Sequence, residues 1–114
     1  MTARHVALSG YRIMWMMALF DLPVLTRAER KRATKFREML LDEGFTMMQL
    51  SCYLRFTGGK EQAEALARRI GAKTPSGGKV DVVFFTDRQY ENIQSYRGRG
   101  QRARPGKPDQ LTLF

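Results

Sequence analysis

Met14-Trp15-Met16-Met17-Ala18-Leu19-Phe20 is an unbroken apolar run that ends in a carboxylate, Asp21, with Pro23 two places beyond. Apolar side chains occupy both parities. Met14, Met16, Ala18 and Phe20 face one way, and Trp15, Met17 and Leu19 the other. A strand patterned like this is covered on both faces. It predicts a first strand from about Arg12 to Asp21, with the carboxylate where the buried strand surfaces. Lys79 to Thr86 repeats the pattern, setting Val80, Val82 and Phe84 against Val83 and Phe85.

Between these strands the spacing changes. Thr26-Arg27-Ala28-Glu29 matches a capping box, in which hydroxyl and carboxylate each satisfy the other residue's free amide. A helix is expected from there to about Glu43, with Ala33, Phe36, Met39 and Leu40 as its apolar stripe and Gly44 as a left-handed cap. Phe45–Gln49 and Cys52–Thr57 read as two strands joined through Leu50-Ser51 in a hairpin or bulged ribbon. Ala63, Leu66, Ala67 and Ile70 recur at helical spacing from Lys60, and Gly71 fits a second C-cap. After the last long strand, Asp87 is expected to cap one helical turn holding Tyr90, and Asn92–Arg97 to form a short fifth strand.

The order strand, helix, strand, strand, helix, strand is the ferredoxin-like α+β pattern, βαββαβ with an antiparallel sheet and both helices on one face. That leaves the other face open, yet two strands are apolar on both sides. A two-fold homodimer, sheet against sheet, is the simplest cover. The expected organisation is a loose N-terminal arm at residues 1–11, the domain at 12–97, and a basic linker with a strand-like tail at 98–114.

Composition narrows the class. The chain has 114 residues, enough for one domain with a modest core, and its 43% apolar and 27% charged residues suit a globular protein. The longest apolar run, Ile13 to Phe20, is too short to span a membrane. No signal-peptide pattern follows, and the single Cys52 excludes an internal disulfide, so the expected compartment is the cytoplasm. Twenty Lys plus Arg against eleven Asp plus Glu give a net charge of +9, the electrostatic footprint of a nucleic-acid binder.

With these elements placed, the chain resembles the CRISPR-associated protein 2 family. The resemblance is carried by Ile13-Met14-Trp15-Met16-Met17-Ala18-Leu19-Phe20-Asp21-Leu22-Pro23-Val24, the helix Glu29–Arg37, Gln49-Leu50-Ser51-Cys52-Tyr53, Gly77-Gly78-Lys79-Val80, Phe85-Thr86-Asp87-Arg88-Gln89-Tyr90, and the terminal Pro108–Phe114. The set is similar to the version found in type II systems. The resemblance implies a ferredoxin-like homodimer that partners CRISPR-associated protein 1, the integrase subunit, in inserting new spacers, with the dimer as a platform for protospacer duplex DNA. It also implies a magnesium-dependent endonuclease acting on RNA or DNA, with the ion held by the aspartate that ends the first strand, here Asp21.

Asp21 is therefore the candidate metal ligand and catalytic residue. The plainer use of a strand-terminal aspartate is to cap the following loop. One carboxylate per chain is thin for phosphodiester chemistry, and two-fold symmetry could bring two copies to one hard cation. His5 lies in the N-terminal arm, and one Cys with one His cannot build an ordinary zinc site. Ser51, Cys52 and Tyr53 have no identifiable partner base. Arg27, Arg30 and Lys31 open the first helix, Arg68, Arg69 and Lys73 close the second, and Arg88 and Arg97 lead into the basic C-terminal third. Such side chains grip phosphates without reading sequence. Trp15, Phe20, Phe84 and Phe85 lack the signature of a base-stacking sheet, and core or interface is their expected use.

Overall fold

The computed structural model describes residues 14–99. The expected N-terminal arm, the first two residues of the expected first strand and the tail beyond residue 99 lie outside these residues. Within them the elements are β1 (Met14–Asp21), α1 (Arg27–Asp42), β2 (Thr46–Gln49), β3 (Cys52–Thr57), α2 (Lys60–Ala72), β4 (Lys79–Thr86) and α3 (Asp87–Glu91). The strands form one antiparallel sheet in the order β2-β3-β1-β4, so the doubly apolar β1 sits in the interior.

Side-chain alternation sorts the sheet into two faces. Met14, Met16, Ala18 and Phe20 of β1 and Tyr53 of β3 are buried with Phe36 and Leu40 of α1 and Ala63, Leu66 and Ile70 of α2. Both long helices therefore cover this one face, in the ferredoxin-like arrangement. Phe20 packs edge-on against Phe36 at 5.2 Å, and the Thr57 hydroxyl donates to the Met14 carbonyl at 2.9 Å, so the buried polar group is satisfied.

The local signals explain most boundaries. The Thr26–Glu29 capping box forms in both directions and starts α1. Gly44, at φ +92°, ends it in the left-handed region that favours glycine. The β2–β3 hairpin carries a bulge between Met47 and Gln49. Four expectations change. Phe45 is buried ahead of β2 rather than within it, because its amide closes the helix end on the Leu40 carbonyl at 2.9 Å. Gly71 lies inside α2, which runs to Ala72 and is capped by Lys73. Thr86, not Asp87, caps α3: its hydroxyl accepts from Gln89 N at 3.1 Å, and Gln89 Oε1 accepts from Thr86 N at 2.9 Å. Asn92–Arg97 makes no strand among the described residues; its amides have no sheet partner once the chain turns off at α3.

The helix-free face carries Trp15, Met17, Leu19, Leu54, Phe56, Val83 and Phe85, as the registers of β1 with β3 and β4 require. Part of it is covered by α3. Tyr90 stacks on Trp15 with ring centroids 3.8 Å apart and planes within 6°. Trp15 Nε1 donates to Asp87 Oδ1 at 3.0 Å, so the indole N–H keeps a partner. Leu19, Phe56 and Val83 remain exposed.

Candidate metal and nucleic-acid site

Asp21 ends β1, and alternation from the buried Phe20 turns it to the helix-free face, where it is exposed. Lys79 stands directly opposite it in β4, and Asp81 lies two residues along on the same face, opposite Leu19. The Lys79 ammonium reaches Asp81 at 3.4 Å. Two carboxylates thus bracket one lysine at this end of the sheet. Sequence reasoning missed Lys79 and Asp81, although alternation in Lys79-Val80-Asp81 and antiparallel pairing to β1 would have placed them.

The backbone around Asp21 is held from both sides. The Pro75–Gly78 turn closes with Gly78 N donating to the Pro75 carbonyl at 3.0 Å. A Cβ on Gly78 would come within 2.6 Å of Leu22 Cδ2, 3.2 Å of the Pro75 carbonyl oxygen and 3.5 Å of the Asp21 carbonyl oxygen. Position 78 therefore stays small so that the turn can pack under the end of β1. On the other side, Glu29 Oε1 accepts from Leu25 N and Thr26 N, both at 2.9 Å. These amides, the Thr26 bond first, hold the Glu29 carboxyl below its usual range. Arg30 Nη1 donates to the Val24 and Leu25 carbonyls at 3.2 and 3.0 Å. The loop after Asp21 is thus pinned at successive peptide groups.

No group of three or more His, Cys, Asp or Glu suited to a metal forms among the described residues. Magnesium does not require one, because it keeps several waters and is bound through one or two carboxylates with substrate phosphates. An exposed strand-terminal carboxylate, open on the face that would meet a second copy, is a donor of that kind. Asp21 fits the ion in this limited sense, and Asp81 is already engaged by Lys79.

The expected phosphate contacts fall into separate groups. Arg27 and Lys31 are exposed in the first turns of α1. Arg30 is one turn away, but its guanidinium serves the loop. Arg68 is exposed near the end of α2, whereas Arg69 makes a bidentate pair with Glu43, at 3.1 and 3.0 Å. That hydrogen bond holds the Glu43 carboxyl low and the Arg69 guanidinium high. Arg88 belongs to α3, on the side of the sheet opposite α1 and α2, and Arg97 follows that helix; both are exposed.

The remaining candidates settle into structural roles. Cys52 is half-buried on the helix-free face, and burial pushes its thiol up, away from the reactive thiolate. Tyr53 is buried in the core against Phe20. Trp15 and Phe85 lie on one face of the sheet and Phe20 and Phe84 on the other, so the four rings cannot make one stacking platform. No helix among the described residues is long and apolar enough to cross a membrane.

The profile of the family described as CRISPR associated protein Cas2 matches residues 14–93, the whole of the sheet and its three helices. A CRISPR-associated endoribonuclease Cas2 of Paracidovorax avenae is 51% identical over 107 residues, covering 94% of this chain and 99% of that protein. Proteins of the same name from Flavobacterium psychrophilum and Parvibaculum lavamentivorans are 40% and 43% identical, covering 96% and 89% of this chain and 96% and 100% of their own lengths.

Proposed function

The chain belongs to the CRISPR-associated Cas2 family, and from that premise we propose that it serves spacer acquisition as a homodimeric scaffold that grips double-stranded protospacer DNA and carries the integrase subunit, CRISPR-associated protein 1. One observation carries this reading. Arg27, Lys31, Arg68, Arg88 and Arg97 are exposed and have no ion-pair partner within 4 Å among the described residues, in a chain of net charge +9. Cations left free at a surface are the ones that exchange counterions for phosphates. The apolar helix-free face, only partly covered by α3, supports the homodimer.

A second reading rests on the relatives' shared name, which describes them as endoribonucleases. In it, the Asp21 residues of two copies would together hold a magnesium ion. Such an ion, when bound, neutralises phosphate charge and supplies an activated water. This chain's part is to present Asp21 on a braced strand end, with Lys79 beside it.

Asp21→Asn separates the two. It keeps the side-chain shape and removes the charge that attracts a hard cation. In a complex reconstituted with the integrase subunit, the scaffold reading expects spacer integration at near wild-type rate, while magnesium-dependent cleavage of RNA or DNA by the protein alone disappears. Loss of integration with the dimer and its partner contacts intact would overturn the scaffold reading. The DNA surface is tested alongside it. Arg27→Glu with Lys31→Glu should weaken duplex binding without moving Tm. Arg30→Glu should lower Tm, because it frees the Val24 and Leu25 carbonyls.

A further inference from the structure

The helix layer carries a groove that shares only Lys73 with the expected phosphate contacts and nothing with Asp21. It is an open hollow of about 240 Å³ lined by Arg32, Lys35, Phe36 and Met39 of α1, with Lys73 and Pro75 at the end of α2. The α1 residues recur at i, i+3, i+4 and i+7 and so share one helix face. Phe36 is buried as the back wall, and Met39 and Pro75 are half-buried along the floor. The far wall is fixed: Lys73 N donates to the Ile70 carbonyl at 3.1 Å, Thr74 N to the Gly71 carbonyl at 3.2 Å, and the Thr74 hydroxyl to the Ile70 carbonyl at 3.3 Å. Arg32, Lys35 and Lys73 are exposed, and their side chains make no hydrogen bond or ion pair within 4 Å among the described residues.

We infer that this groove docks a short acidic segment of a protein partner, with an apolar side chain seated on Met39 and Pro75 and carboxylates on the two cationic rims. Charge complementarity sets the sign of the occupant. The floor sets its kind. A phosphate backbone brings no side chain for the apolar floor. An amphipathic peptide in a helix-walled groove is a recurrent mode of recognition, with the apolar anchor giving affinity and the rim giving orientation.

The test uses the full chain and a synthetic probe. The probe is a fluorescent peptide about a dozen residues long, of aspartate and glutamate with a leucine at every fourth place, and the control is polyglutamate of equal length. The groove predicts that the probe binds and shifts the Met39 methyl resonance, and that the control binds several-fold more weakly. Lys35→Glu with Lys73→Glu should weaken the probe about tenfold or more, and Met39→Gln about fivefold at a temperature where its own melt shows the variant folded. Asp21→Asn and Arg88→Glu, both away from the face that α1 and α2 cover, should leave probe binding intact, so failure of the scaffold or nuclease reading is distinguishable from failure of this one. Equal binding of probe and control with no shift at Met39 would reduce the groove to bare charge and overturn the inference. A duplex DNA that shifts the Met39 methyl when the peptide does not would overturn it in favour of nucleic acid.

Discussion

Gly71 and Gly77 lie six residues apart, at the end of α2 and in the turn that follows it, and their backbones differ. Gly71 is helical, with nothing within 4 Å of where a Cβ would stand. Gly77 sits at φ +79°, in the turn that packs beside Pro23. Gly71→Ala should therefore stabilise the protein by about 0.5–1 kcal/mol, raising Tm by about 3–6 °C. Gly77→Ala should cost about 1 kcal/mol through the strained left-handed conformation. Thermal melts of the two variants check both signs, and a fall in Tm for Gly71→Ala would mean that the last turn of α2 ends at Ile70. The sequence misleads at Gly71 because a glycine just after the last apolar position resembles a cap, while Ala72 carries the helix one residue further. Asp21 was legible because it breaks an unbroken apolar run. Lys79 and Asp81 were not, because their relation to it exists only across a strand pairing.

At the scale of elements, β1, β3 and β4 were legible as apolar runs and α1 and α2 from their stripes, since each period matches the face that is buried. The docking of α3 was not. Asp87-Arg88-Gln89-Tyr90-Glu91 is too short and polar to show a period, and its attachment depends on the Tyr90 ring and the Asp87 carboxylate both reaching Trp15. That attachment makes α3 sensitive to alkali. Burial first, and then the Asp87 charge, raise the Tyr90 phenol above its ordinary value near 10. A raised phenol favours the neutral form in the fold, so its contribution is fully present below pH 10 and is lost as pH climbs through the raised pKa. Trp15 is the only tryptophan, so its emission reports on the stack. Emission should change in a step above pH 10 that Tyr90→Phe removes. An unchanged step in that variant would place the transition in another tyrosine or in global unfolding.

For the whole molecule, the exposed Leu19, Phe56 and Val83 beside the α3 patch form an apolar area on the face that α1 and α2 leave open. Light scattering at micromolar concentration should give the mass of two chains, and Val83→Glu should shift it toward one. A monodisperse wild-type monomer would show that α3 is cover enough. Order of elements, charge and family resemblance led to this architecture because each depends on sequence alone. The groove at Arg32, Lys35 and Lys73 did not show, since it joins one helix face to the far end of another. A last consequence comes from strand order. With β1 on one side and no strand on the other among the described residues, β4 is the sheet's edge along all eight of its residues. In an antiparallel edge strand alternate amides point inward to the ladder and the rest point outward. In deuterated buffer, β4 of a single chain should therefore exchange in a sawtooth, slow and fast at every other residue, while β1 is slow throughout. If assembly adds a strand along this edge, the teeth disappear and β4 protects as evenly as β1.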